Sequence, residues 1–277
     1  MKPEYPTMSN ETPTKTDTSG IDPDEQRRLV RERYSGIAAD ASSCCGDGET
    51  ADEQTELLYD DEEIESVAPG ADLGLGCGNP TAIASLQAGE TVLDLGSGAG
   101  FDCFLAAEEV GPDGRVIGVD MTPEMIEKAR ENVRKNDAEN VAFRLGEIEH
   151  LPVADESVDV IISNCVVNLS PDKPQVFEDA YRALRAGGRL AISDVVLTAE
   201  LPADVRRDPD SISACVAGAS TISELESMLH GVGFADVSIT PKEESEEFIR
   251  EWDDDRDLSE YIVSANIEGR KPAGRDR

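Results

Sequence analysis

Thr91-Val92-Leu93-Asp94-Leu95-Gly96-Ser97-Gly98-Ala99-Gly100 is the stretch that decides the fold of this chain. A short aliphatic run gives way to a glycine-rich turn, and an amphipathic segment from Phe101 to Val110 follows. That is the strand-to-helix turn at which ligands bind in a doubly wound sheet, and its glycines let the backbone approach a ligand closely. A dinucleotide fingerprint needs glycine at 101, where Phe101 stands, so the spacing is G-x-G-x-G and NAD or FAD is disfavoured. Asp120 ends the next apolar run about 20 residues beyond the loop, where a carboxylate can accept from both hydroxyls of a ribose. Asp94 is placed for the ammonium end of the same ligand.

Outward from this turn, short apolar runs alternate with amphipathic helices, the pattern of a parallel sheet covered on both faces. Strands are expected over 91–95, 115–119, 141–145, 158–163 and 189–193, with helices over 101–110, 123–136 and 174–184 between them. A helix over 222–229 and strands over 237–240 and 261–267 close the sheet. The expected fold class is α/β, a Rossmann-like and mostly parallel seven-stranded sheet. Upstream, Asp22 caps a helix with Pro23 at its first position, running to about Ala39. Residues 1–20, rich in Thr, Pro, Ser and Asn, read as a disordered tail. Residues 21–86 then carry the first helix and cysteine-bearing loops, 87–194 the cofactor-binding core, 195–240 an acceptor-binding subdomain, and 241–277 an acidic helix and strand.

Lys+Arg total 25 against 59 Asp+Glu, a formal net charge of -34, which repels nucleic acid and anionic membranes. The acids are spread through the helices and only 7 of the 25 basic residues are Lys, which points to a halophilic host. At about 1 M salt the Debye length is about 3 Å, and self-repulsion on this scale becomes tolerable. No apolar run reaches membrane-spanning length and the N-terminus lacks a signal-peptide layout, so a cytoplasmic protein is expected. Six cysteines in such a chain read as thiols for ligation or redox work.

Cys165 follows the fourth strand, Cys77 lies on the glycine loop Leu73 to Pro80, and Cys215 comes after the fifth strand. All three can reach the carboxyl edge of the sheet. Thiolates converging from separate loops suit a soft, thiophilic centre such as trivalent arsenic. Arsenic held by thiolates keeps a lone pair that can attack a methyl group in line, so the gain comes from positioning and no general base is required. His150 and His230 accordingly read as structural or surface residues, and Cys103, inside a helix, as a small core residue. The vicinal pair Cys44-Cys45 reads as a dithiol able to exchange with a disulfide formed at the site. Zinc is disfavoured, because no paired C-x-x-C spacing and no nearby His are present.

The span Thr91 to Ser193 resembles the class I methyltransferase fold, which implies S-adenosyl-L-methionine as cofactor. The resemblance puts Gly96, Ser97, Gly98 and Gly100 in the cofactor loop, Met121 beside the adenosine, Glu147 and Ile148 on the adenine side and Asn164 facing the methionine part. Ser43-Cys44-Cys45-Gly46, Leu75-Gly76-Cys77-Gly78-Asn79-Pro80, Ser163-Asn164-Cys165-Val166-Val167-Asn168-Leu169-Ser170-Pro171-Asp172-Lys173 and Cys215-Val216-Ala217-Gly218-Ala219 together are similar to the arsenite S-adenosylmethyltransferase family, over about residues 27 to 240. That resemblance implies that Cys165 and Cys215 bind arsenic, with Cys77 as third ligand or reductant. It also implies that Cys44 or Cys45 joins Cys77 in a redox relay served by a thiol reductant such as thioredoxin or a small thiol, the acceptor being arsenite or its thiol conjugates. Two other readings stand beside it: a carbon or oxygen methyltransferase of a small molecule such as a quinone, and a non-catalytic, thiol-based arsenic or metal binding protein.

Overall fold

The computed structural model describes residues 21–40, 55–253 and 255–274. The expected tail over 1–20 and the Cys44-Cys45 pair lie outside these residues. One sheet runs through the molecule in the order β3-β2-β1-β4-β5-β8-β7. Its strands are β1 Thr91–Leu95, β2 Arg115–Asp120, β3 Val141–Leu145, β4 Val158–Asn164, β5 Leu184–Leu197, β7 Ala235–Pro241 and β8 Ile262–Arg270. The first five run parallel, and β8 lies antiparallel between β5 and β7. The order reverses between β1 and β4, which opens a crevice beyond their carboxyl ends.

Side-chain alternation along the strands divides the core in two. Leu93 and Leu95 of β1 pack with Ile161 and Phe177 on one face, while Val92 packs with Phe104, Ile126 and Phe143 on the other. Each such fully buried side chain contributes about 1.5–3 kcal/mol relative to exposure. A third cluster caps the carboxyl edge, and it contains Cys77, Cys165 and Cys215 together with Val30, Val205 and Ile249.

Three departures from the sequence reading concern the ground around the crevice. An eighth, two-residue strand, β6 Ser220–Thr221, pairs with the end of β5. β5 itself extends well past Ser193, because β8 pairs with it from Arg189 to Leu197. The acid at Asp194 disguised that extension. Residues 195–240, expected as one acceptor-binding subdomain, divide instead: 195–197 end β5, 198–219 fold over the carboxyl edge, and 220–240 supply β6, the helix Ile222–Val232 and most of β7. That helix belongs to the body of the fold, since its Leu225 and Leu229 share a core with Phe177 and Ile192.

The first helix, Pro23–Asp40, lies across the same edge, where Gln26 Nε2 donates to Leu169 O at 3.1 Å and Val30 is buried. The stretch before the glycine loop, expected as loop, contains the helix Asp61–Ser66, closed by a reciprocal capping box between Asp60 and Glu63. Among the described residues no helix is long and apolar enough to cross a membrane.

Candidate active site

The turn after β1 opens into a cleft of about 1110 Å³, its mouth included, at the carboxyl edge. Gly98 holds a left-handed backbone, φ 50°, with nothing within 4 Å of the space a Cβ would take. Its N–H donates to Asp120 Oδ2 at 3.0 Å, and Thr122 N–H donates to Asp120 Oδ1 at 2.8 Å. Burial still holds the Asp120 carboxyl above its usual range against both bonds, and a ligand's hydroxyl donors would relieve that cost. Ser97 lines the same cleft, and its Oγ is buried beside Gly118 of β2 with no hydrogen-bond partner.

Asp94 and Asp102 face this cleft from β1 and from the first turn of the helix Phe101–Val110. Burial, then the charge of Asp102, push Asp94 well above the usual carboxylate range, and Cys103 Sγ donates to its Oδ2 at 3.2 Å. Burial likewise brings Asp102 up to about 6, with hydrogen bonds from Tyr59 and Asn164 opposing it. Two carboxyls in this condition form a receptor for a positive group, whose arrival favours their ionised forms.

Asn164, at the end of β4, ties this side to the cysteine loop. Its Nδ2 donates to Tyr59 Oη at 2.9 Å, Gly78 O at 2.7 Å and Asp102 Oδ2 at 3.2 Å, and its Oδ1 accepts from Cys77 N at 3.0 Å. Of the residues expected around a cofactor, Asp94, Gly96, Ser97, Gly98, Asp120, Met121, Ile148 and Asn164 line the cleft. Gly100 and Glu147 do not. Gly100 has φ 102° and sits where a Cβ would meet Phe143 at 2.6 Å, so it serves helix-to-sheet packing. Glu147 turns to Arg27, at 3.7 Å, and to Arg31, at 3.9 Å, leaving the buried Glu149 on the cleft wall, where Ser170 Oγ donates to it at 2.7 Å.

The sequence reading missed Tyr59 and Asp102, whose hydroxyl and carboxylate meet at 2.8 Å. Asp60-x-x-Glu63, a capping-box signature, was the signal that this stretch is ordered and can bring a side chain to the site.

Beyond Asn164 the cleft wall is Cys165, with Cys77 and Cys215 packed against it from behind. Cys165 follows β4 directly with its N–H on Ser193 O at 2.8 Å, and Cys77 Sγ lies 3.7 Å from the same carbonyl. Cys215 arrives from the segment over the edge and directs its thiol to Cys165 O. Hydrogen bonds with the Cys215 and Cys77 thiols, and burial after them, raise the Cys165 thiol well above its ordinary pKa. Cys165 and Cys215 hold left-handed backbones, φ 58° and 65°, conformations uncommon in residues with a Cβ that persist where the surroundings over-determine them. Cys103 takes no part in this cluster; it is buried against Asp94 in the other core.

Lys173 fixes the Cys215 segment from below, its Nζ bonded to Gly218 O and to Ser220 Oγ at 2.7 Å. Burial lowers its pKa to about 8. Asp194 lies beside the thiols, with a carboxylate oxygen, Cys77 Sγ and Cys165 Sγ all within 4.8 Å of one another. A second hollow, of about 750 Å³ with its mouth, adjoins the cleft at Tyr34, Gly74 to Gly76 and Cys165 and is floored by Cys215. Neither His150 nor His230 lines either space.

Comparison with known proteins agrees with this arrangement. Residues 86–233 match the family model described as a methyltransferase domain. The chain is 64% identical to an arsenite methyltransferase of Halobacterium salinarum, an alignment covering 98% of this chain and 72% of that protein. It is 41% identical to the human arsenite methyltransferase over 52% of this chain, spanning 40% of the human protein. Among solved structures, an arsenic(III) S-adenosylmethionine methyltransferase from Chlamydomonas reinhardtii superposes with a TM-score of 0.60 at 34% identity, over 82% of this chain and 75% of that one. The chain belongs to the arsenite methyltransferase family, within the S-adenosylmethionine-dependent methyltransferases of class I fold.

Proposed function

We propose that the protein transfers methyl groups from S-adenosylmethionine to arsenic(III) held by Cys77, Cys165 and Cys215. The observation that carries the proposal is the meeting of these buried thiols, from three separate segments, at the carboxyl edge beside the cleft. The cleft fits the cofactor on its own chemistry. Asp120 offers lone pairs to ribose hydroxyls, and Asp94 and Asp102 await an ammonium group. When bound, S-adenosylmethionine supplies a methyl group activated on a sulfonium.

The Cys165 thiol is held protonated, and arsenite provides for this itself. Each thiol that binds gives its proton to an arsenic-bound hydroxyl, which leaves as water, so three thiols and As(OH)₃ give a neutral tris-thiolate and three waters. Arsenic in that state keeps its lone pair. Asn164 then has a positioning role, since one carboxamide fixes both the Cys77 backbone and the Asp102 carboxylate. No proton need leave the acceptor, in keeping with the absence of histidine from both spaces.

Returning a methylated, pentavalent arsenic to the trivalent state takes two electrons, which two thiolates supply on closing a disulfide. We assign that step to Cys77 with Cys44 or Cys45 and its reversal to a thiol reductant such as thioredoxin or a small thiol, in the cytoplasm. Arsenic X-ray absorption on protein loaded with arsenite tests the ligand set. Three sulfur neighbours, reduced in Cys165→Ser and in Cys215→Ser, support it; arsenic with oxygen neighbours, unaltered by either change, overturns it.

A further inference from the structure

Asp194 is 1% exposed and occupies an interior position of β5, where it pairs with Ala265 and where an apolar residue would serve the sheet better. Its carboxylate is built into place: Oδ1 accepts from Asn168 Nδ2 at 2.8 Å and from Val195 N at 2.8 Å, and Oδ2 accepts from Asn168 N at 3.2 Å. Burial raises this carboxyl to about 6 while the Val195 hydrogen bond and the buried Lys173 ammonium oppose the rise, so the group is ionised at neutral pH. Those partners fix a negative charge within 4.8 Å of the Cys77 and Cys165 sulfurs.

Resting on the arsenite reading above, we propose that Asp194 stabilises the positive charge that arsenic acquires as the methyl group arrives. The balance of the step requires such a charge. The arsenic lone pair forms the new As–C bond, the C–S bond of the sulfonium breaks, and its electron pair stays on sulfur as a neutral thioether. No proton moves. The positive charge therefore passes from sulfur to arsenic, which goes from a neutral trivalent tris-thiolate to a cationic, formally pentavalent methylarsenic. A fixed carboxylate beside the thiols gains little from the neutral acceptor and much from the charged one, so its interaction strengthens on the way to the transition state. Because hydrogen bonds already hold it in place, little reorganisation accompanies the reaction.

Asp194→Asn and Asp194→Ser both remove the charge; Ser adds no donor beyond a single hydroxyl. The expected result is arsenite affinity within about threefold of wild type by calorimetry, kcat for methylation lower by about 10²-fold, and recovery of most of that loss in Asp194→Glu. A second measurement does not depend on turnover. Cadmium(II), unlike arsenic, takes carboxylate as well as thiolate ligands, and the Asp194 carboxylate lies within 4.8 Å of the Cys77 and Cys165 sulfurs, so cadmium affinity, read from thiolate-to-metal charge-transfer absorption, reports whether the carboxylate reaches an occupant of the thiols and falls by at least about tenfold in both variants while that of arsenite stays. Unchanged kcat, unchanged cadmium affinity, or loss of arsenite binding in both variants overturns the proposal, the last by making the residue merely structural. Wild-type protein that yields no methylated arsenic refutes instead the reading on which the proposal rests.

Discussion

The Cys215 thiol is directed at the backbone carbonyl of Cys165, and both residues hold left-handed backbones. Two cysteines fifty positions apart are thus brought together in conformations that a packing role alone would not demand. Cys165→Ser and Cys215→Ser are each expected to abolish detectable methylation while leaving cofactor binding within about threefold. Cys103→Ser, which keeps a donor for Asp94, is expected to retain methylation. Product analysis of the three variants, alongside calorimetry with S-adenosylhomocysteine, checks this.

Tyr59 Oη donates to Asp102 at 2.8 Å and accepts from Asn164, so Tyr59→Phe strips a hydrogen bond from a buried carboxylate. A bond to a charged group is worth about 1.5–3 kcal/mol, which corresponds to cofactor binding weaker by about 10- to 100-fold. An unchanged dissociation constant would detach Tyr59 from the donor side.

Cofactor affinity is expected to depend on pH through Asp102. Burial raises this carboxyl to about 6 in the folded chain, whereas in the unfolded chain it titrates near its usual value of about 3.9. Between about pH 4 and 6 the native state therefore binds more protons than the unfolded state, and this group's contribution to the stability of the unliganded protein falls as pH rises through that window. An ammonium group entering the site favours the carboxylate, so affinity rises with pH up to about 6 and levels off above it. Calorimetric titration from about pH 5 to about pH 8 should show the rise in wild type and a flatter profile in Asp102→Asn.

The sheet was legible from its first turn because aliphatic runs and amphipathic helices alternate cleanly around Gly96 to Gly100. So was the meeting of Cys77, Cys165 and Cys215, since Cys165 follows β4 directly and the other two lie on connecting segments that reach the same edge. What escaped was set by tertiary pairing. Asp194 broke the apolar pattern of β5, yet it is accommodated inside the sheet by Asn168, a partner that no local pattern reveals. Gly100 and Gly98 look alike in the motif, but one meets Phe143 and the other faces open space. Glu147 and Glu149 are two residues apart and both reach Arg27 of the first helix, yet only Glu149, held by Ser170, lines the cleft.

Gly218 packs directly on Asn168, and a Cβ there would lie 2.0 Å from the Asn168 carbonyl oxygen. Gly218→Ala must displace the Cys215 segment and disturb the Lys173 bond to Gly218 O, at a cost of about 1–3 kcal/mol. The expected outcome is weaker arsenite binding with cofactor binding retained, read by paired calorimetric titrations.

A net charge of -34 makes self-repulsion a standing cost in dilute buffer. The melting temperature is expected to rise with added potassium chloride up to the molar range, as scanning calorimetry at constant pH will report. A fall with salt would show that ion pairs such as Arg189 with Glu90 outweigh the repulsion.

Methyl transfer to thiolate-bound arsenic can be observed in one reaction. Reduced protein incubated in high salt with arsenite, S-adenosylmethionine and a thiol reductant, followed by chromatographic separation of the arsenic species with element-specific detection, tests it most directly. Methylated arsenic is expected from the wild type and none from Cys165→Ser. Protein that binds S-adenosylhomocysteine by calorimetry yet leaves all the arsenic inorganic would contradict it.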